Sequence, residues 1–292
     1  TTDAGVGATI DSQLSGSAGL TKAGAGTLTL GGANNYTGGT VVSAGELAGS
    51  TTSLQGNITN NAVVRFSQTT NGTNTGAVSG TGSLLKSGAG TVTLTGANTP
   101  GAGTLISEGA LQIGAGGATG SLSGAITNNA ALIVDRTGAL TMSDVISGTG
   151  TFTKAGNGTV TLTAGNTFTG TTAISGGAIT LDSASGNALS GDVEIAGGTL
   201  GYSMTDNQIA DTADITMTSG TFNVGARTET VGSLAMAGGS LLKGGGALTL
   251  GGASSVTGGT VTLSTTTSSI DFGGTLTLGA AIFDYTSTSA TA

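Results

Sequence analysis

Chemistry-bearing side chains are sparse in this chain, and the basic ones recur. Lys22, Lys86, Lys154 and Lys243 make up four of its seven basic residues, each opening the same short motif. They read either as ligand contacts or as corner residues whose stems cover a glycine-rich turn while the ammonium reaches water or turn carbonyls. Asp192 and Glu194 flank Val193. On a strand both would face the same way, about 6.5–7 Å apart, a separation that touches the range of an inverting glycosidase pair. Any acid-x-acid strand produces that geometry, and an exposed ridge denies the acid its raised pKa. Asp206, Asp211 and Asp214 form the densest acidic cluster and could offer oxygen ligands to Ca²⁺, but the nonapeptide calcium repeat is missing. No catalytic, cofactor-binding or metal-ligating residue is assigned.

Composition removes most other chemistry. The chain has no His, Cys or Trp, so Ser–His–Asp and Cys–His catalysis, disulfides and His- or Cys-ligated metals are excluded. A formal net charge of −8 gives no electrostatic footprint for nucleic acid or anionic lipid, and no apolar run reaches the ~20 residues needed to insert in a membrane as a helix. Glycine occupies 57 of 292 positions. Each interior Gly costs a helix roughly 1 kcal/mol, so the elements that position these side chains must be strands and turns.

Self-similarity gives the organisation. Copies of a motif, K-x-G-x-G-T-[LV]-T-L followed by an Asn turn and a further strand, occupy residues 20–47, 85–111, 152–179 and 241–263, the last copy one residue shorter. The lysines are 64, 68 and 89 residues apart, which shares out into a sub-period near 22 residues. That is one coil of a parallel β-solenoid. In Thr27–Leu30, Thr91–Leu94 and Thr159–Leu162 the period-two alternation points Leu and Val inward and Thr outward. One coil cannot offset its own ordering entropy; stacking closes its open edges against its neighbours. The reading is all-β: a right-handed parallel β-helix of about 13 coils of ~22 residues, forming a single domain over 1–292.

Asn34, Asn98 and Asn166 recur at the turn after the motif strand, and the pairs Asn60-Asn61 and Asn128-Asn129 recur in a second similar piece between motif copies. Asn tolerates left-handed backbone and bonds its own turn, so these are read as structural turn residues. The outward Thr pairs raise a hydroxyl array of the ice-binding sort, but clear T-x-T pairs recur only once per three coils. Phe272, Phe283 and Tyr285 lie in the last 21 residues, making 264–292 a C-terminal cap or docking segment.

The anchor motif with its N-x-[YF]-[TG]-G-x-T continuation resembles the autotransporter-associated β-strand repeat, also called the passenger-associated transport repeat. The resemblance implies a right-handed β-helix passenger secreted by a bacterium and displayed outside its outer membrane, with the β-barrel translocator cleaved off, omitted, or the chain a section of a giant surface protein. The expected function is a non-enzymatic extracellular scaffold or adhesin without cofactors. Its partners would be a host-surface or matrix glycan or protein, or itself, by end-to-end or lateral association. The alternatives are a self-assembling filament subunit, a polysaccharide-active β-helix enzyme, and a self-transport module for cargo carried elsewhere.

Overall fold

The computed structural model describes residues 3–285. They fold as two compact units, Thr1–Arg136 and Thr137–Ala292, each built of short parallel strands wound into coils, with no helix among the described residues. The chain is a β-solenoid.

In the first unit the strands stack on three faces; from Val63 onward the chain visits the first, the third and then the second in each coil, and the earlier coils carry strands on the first two alone. One face stacks seven strands: Gly7–Ile10, Thr27–Leu30, Glu46–Gly49, Val63–Ser67, Ser83–Ser87, Thr104–Ile106 and Ile126–Asn128. A second stacks Leu20–Lys22, Thr40–Val42, Ile58–Asn60, Val78–Gly80, Ala97–Pro100 and Ser121–Leu122. The third stacks Gly72–Asn74, Thr91–Leu94, Ala110–Ile113 and Ala131–Val134.

The second unit repeats this plan. One face runs from Leu140–Met142 through Thr159–Leu162, Ala178–Leu181 and on to Ile282–Tyr285. Another runs from Thr151–Lys154 through Thr172–Ile174 to Leu276–Leu278. The third holds Glu229–Val231, Gly246–Leu250 and Ser268–Phe272. Val193–Tyr202 and Asp214–Gly225 each run across two faces without a break in the strand.

Alternation makes these strands. In Thr91–Leu94 the side chains of Val92 and Leu94 are fully buried while both threonines sit half-buried on the outside. The core of each unit is mostly aliphatic, widened by Phe66 in the first and by Phe152, Phe168 and Phe222 in the second. Phe152 and Phe168 touch as a tilted pair, 6.2 Å between ring centres.

The register corrects the sub-period. From one strand to the strand above it the chain advances 20 residues at Gly7→Thr27, 17 at Glu46→Val63 and 24 at Ala97→Ser121, most often 20 rather than 22. The difference has a geometric cause. Lys22 stacks under Val42 and Asn60 on the second face of unit 1, whereas Lys86 stacks on Phe66, Gly49 and Leu30 on the first. The motif therefore recurs after three and one-third coils, rotated by one face. In the second unit, Lys154 lies in the column of Ile174 and Ile195, while Lys243 lies on the face of Thr159–Leu162, through Leu241, Phe222, Leu200, Ile179 and Val160. Dividing the spacing by a whole number of coils hid that rotation.

Candidate functional site

Lys22, Lys86, Lys154 and Lys243 are the only lysines in the sequence, and all four are buried, with 2, 0, 0 and 1% of their surface exposed. Each occupies an inward position on its strand, as the apolar residue two places before it does in Ser83–Ser87, Thr151–Lys154 and Ser240–Lys243. The aliphatic stem fills core volume, and the ammonium turns into a cage of backbone carbonyls at the corner. Lys86 Nζ donates to the carbonyls of Ser87 (3.1 Å), Gly88 (2.6 Å) and Glu108 (3.0 Å). Lys22 Nζ donates to Ala23 (3.3 Å), Gly24 (2.7 Å) and Ala44 (2.9 Å). Lys154 uses the carbonyls of Gly156 and Gly176 in the same way. Two acceptors at most come from the lysine's own turn; the other lies 22 residues on, in the coil above.

That cross-coil acceptor sits just before Gly45, Gly109 or Gly177, all left-handed with φ of 68, 65 and 61°. A side chain at Gly109 would collide with the carbonyls of Gly88 and Gly90, so the corner closes over the ammonium only if this residue is Gly. Lys243 reverses the scheme: its Nζ bonds Gly225 (3.2 Å) and Arg227 (2.7 Å) in the coil below, and Gly245 in its own turn. Burial pushes the Lys22, Lys86 and Lys243 ammonium groups below the ordinary lysine range, while the nearby carboxylates of Glu108 and Asp206 partly restore the last two.

Asn34, Asn98 and Asn166 are buried too, and they hold three successive coils together. Asn98 Oδ1 accepts the Val78 amide (3.0 Å) from below, and its Nδ2 donates to Gly96 O (2.9 Å) and, above, to Ser121 O (3.1 Å). Asn34 joins the Leu14 amide to Ser53 O, and Asn166 joins the Ile146 amide to Ala188 O. The expected left-handed turn is not how they work: Asn207 is the one described non-Gly residue with positive φ. In the fourth copy Ser254 stands at this position. It accepts the Leu234 amide (3.1 Å), and its other bond returns to Gly252 O within its own turn.

The remaining candidates lie on the outside. Asp192 and Glu194 are exposed, and Asp192 Oδ1 accepts the Asp214 amide (2.9 Å). Asp206 Oδ1 accepts the Thr228 amide, and Asp211 is exposed in a turn. Among the described residues no group of three or more carboxylates converges as a metal site. Phe272, Phe283 and Tyr285 hold inward positions on the last described coil, stacked over Leu250, Val261 and Leu263, yet are 40, 52 and 55% exposed. Phe272 and Phe283 line an apolar hollow of about 260 Å³ with Ile270, Leu276 and Leu278. The part of the expected cap at 286–292 lies outside the described residues.

Sequence reasoning passed over Glu229. It is fully buried, its carboxylate accepts the amides of Gln208 (2.8 Å) and Thr230 (3.1 Å), and burial pushes it up to about 7. Its signal was faint: an acid at an inward position of a three-residue strand, Glu229–Val231.

Residues 20–48, 84–113 and 152–181 match the Passenger-associated-transport-repeat family, under a third of the chain. The three matches contain the three motif copies whose lysine reaches the coil above; the copy at 241–263, where the cage reverses, lies outside them. No curated protein and no solved structure gives a significant match. The chain thus carries the repeat of autotransporter passengers on a β-solenoid.

Proposed function

We propose that this chain is a non-enzymatic scaffold or adhesin segment displayed outside a Gram-negative cell. The observation that carries the reading is where the recurring polar side chains point. The lysine ammonium groups and asparagine amides of the repeat turn into the stack and bond backbone, so the repeated chemistry builds coils and leaves the outer walls to Thr, Ser and small residues. Stacked walls hold weak contacts at fixed spacing, which suits a multivalent grip on a matrix glycan or protein. The test is binding of the purified chain to arrays of extracellular-matrix glycans and proteins, with heat-unfolded chain as control. Saturable binding that survives outward Thr→Ala changes on one wall and fails on another locates the surface. Turnover of a glycan, abolished by Asp192→Ala or Glu194→Ala, would replace this reading with the polysaccharide-active one.

One observation favours self-association as a second reading. The inward side chains of the last described coil, Phe272, Leu278, Phe283 and Tyr285, are patterned like those of an interior coil but are left exposed. Electron microscopy and sedimentation of wild type and Phe283→Ser test it: concentration-dependent fibres lost in the variant support a filament subunit, and a monomer in both rejects it.

A further inference from the structure

Inside the second unit one inward column reads Asn166, Ala188, Gln208, Glu229, Leu248 and Ile270, each over the last. Asn166 shows what an amide does here: it accepts from the coil below and donates to the coil above. Gln208 Oε1 accepts the Ser183 amide (2.7 Å), and its Nε2 donates to Ser183 O (3.1 Å) and Asp206 O (3.2 Å). Glu229 sits in the same column with a carboxyl in place of the amide. Its two oxygens accept from Gln208 and Thr230, and an ionised carboxylate has nothing to donate onward. Beside it lies the buried Tyr202 hydroxyl, which burial and the neighbouring Glu229 carboxylate hold well above the ordinary tyrosine range.

The other groups at this corner do not neutralise a charge on Glu229. Arg227 Nη2 is turned to Ser203 O, the Lys243 ammonium is caged by the carbonyls of Gly225, Arg227 and Gly245, and Asp206 accepts the Thr228 amide. The coil above presents Leu248.

We propose that Glu229 makes the second unit a proton-operated stack: with its carboxyl neutral the coils close around Tyr202, Gln208 and Glu229, and with it ionised this corner opens locally. A neutral carboxyl leaves no buried charge without a cation beside it; the Tyr202 hydroxyl and the backbone amides favour the ionised form, but burial outweighs them. Ionisation in place demands solvent, which the closed corner excludes.

The sign follows from linkage. The closed state holds the Glu229 proton up to about pH 7, whereas in the open state the carboxyl ionises near its ordinary value of 4.5. The closed state binds more protons between those values, so its advantage is complete in acid and falls as the pH rises through that window. Opening becomes more favourable by on the order of thirtyfold between about pH 5.5 and about pH 8.5.

Hydrogen exchange read by mass spectrometry, corrected for intrinsic rates, tests this on the full chain. Peptides covering 200–231 are expected to lose protection by that factor at the higher pH, while strands of the first unit such as Ser83–Ser87 hold theirs. Glu229→Gln, an amide like those elsewhere in the column, is expected to flatten the response. Equal protection at both pH values in wild type, or an unchanged response in Glu229→Gln, overturns the proposal. Should that variant fail to fold, carboxyl ¹³C titration of the wild-type protein decides: a buried Glu midpoint near 7 supports it, and all midpoints below about 5 reject it.

Discussion

Lys86 puts a cation inside a stack whose other inward positions are mostly aliphatic, and three carbonyls make that tolerable. Removing the cation leaves those acceptors buried and unmet. Lys86→Met, which keeps the stem volume, is expected to destabilise the first unit by about 3 kcal/mol in urea unfolding. The cages carry a second expectation: an amine-reactive ester should leave all four lysines of the native chain unmodified and label all four in denaturant, read by peptide mass spectrometry. Rapid native labelling at Lys154 would show that its cage is open in solution. The sequence announced these residues through their spacing. It could not announce their burial, because the acceptors are backbone atoms, one of them a coil away and fixed by the left-handed Gly45, Gly109 or Gly177. Glu229 was missed for a related reason: a lone acid in a short strand looks the same whether its alternation puts it inside or out.

Among the elements, the strands were legible and the turns less so. T-x-T-L alternation placed Val92, Leu94, Val160 and Leu162 inside, where they are. Asn98 was assigned to a turn for its backbone tolerance and for bonding its own turn; it does bond Gly96 O there, but its other two amide bonds cross to the coils below and above, which only register reveals. Asn98→Asp keeps the acceptor for Val78 and loses both donors, placing a buried carboxylate against carbonyls. It should cost about 2–3 kcal/mol in thermal or urea unfolding, more than Asn98→Ser. The reverse change belongs to the fourth copy. The Ser254 side chain holds the coil below but gives no bond to the coil above, so Ser254→Asn is expected to raise the stability of the second unit by about 1 kcal/mol, read as a higher unfolding midpoint.

For the whole molecule, caging every lysine leaves Arg65, Arg136 and Arg227 as the cations able to reach the surface, and Arg65 is paired with Glu46 at 2.7 Å. The walls therefore meet solvent with a more acidic face than the formal charge suggests. Retention on heparin at physiological salt is expected to be absent, and lowering the salt should not create it. Parallel stacking was readable from composition and repeat, since so glycine-rich a chain with period-two strands has few other ways to bury its leucines. The screw relation between copies was not, because spacing in sequence fixes a product of coil length and coil number and neither factor alone. That relation bears on how such a chain grows. Duplicating the 64-residue stretch from Lys22 to Lys86 would lengthen the column by three and one-third windings and turn everything downstream through a third of a circle. Three duplications in succession would restore the original bearing, so ancestry by tandem copying would distribute each inherited surface feature evenly around the compass.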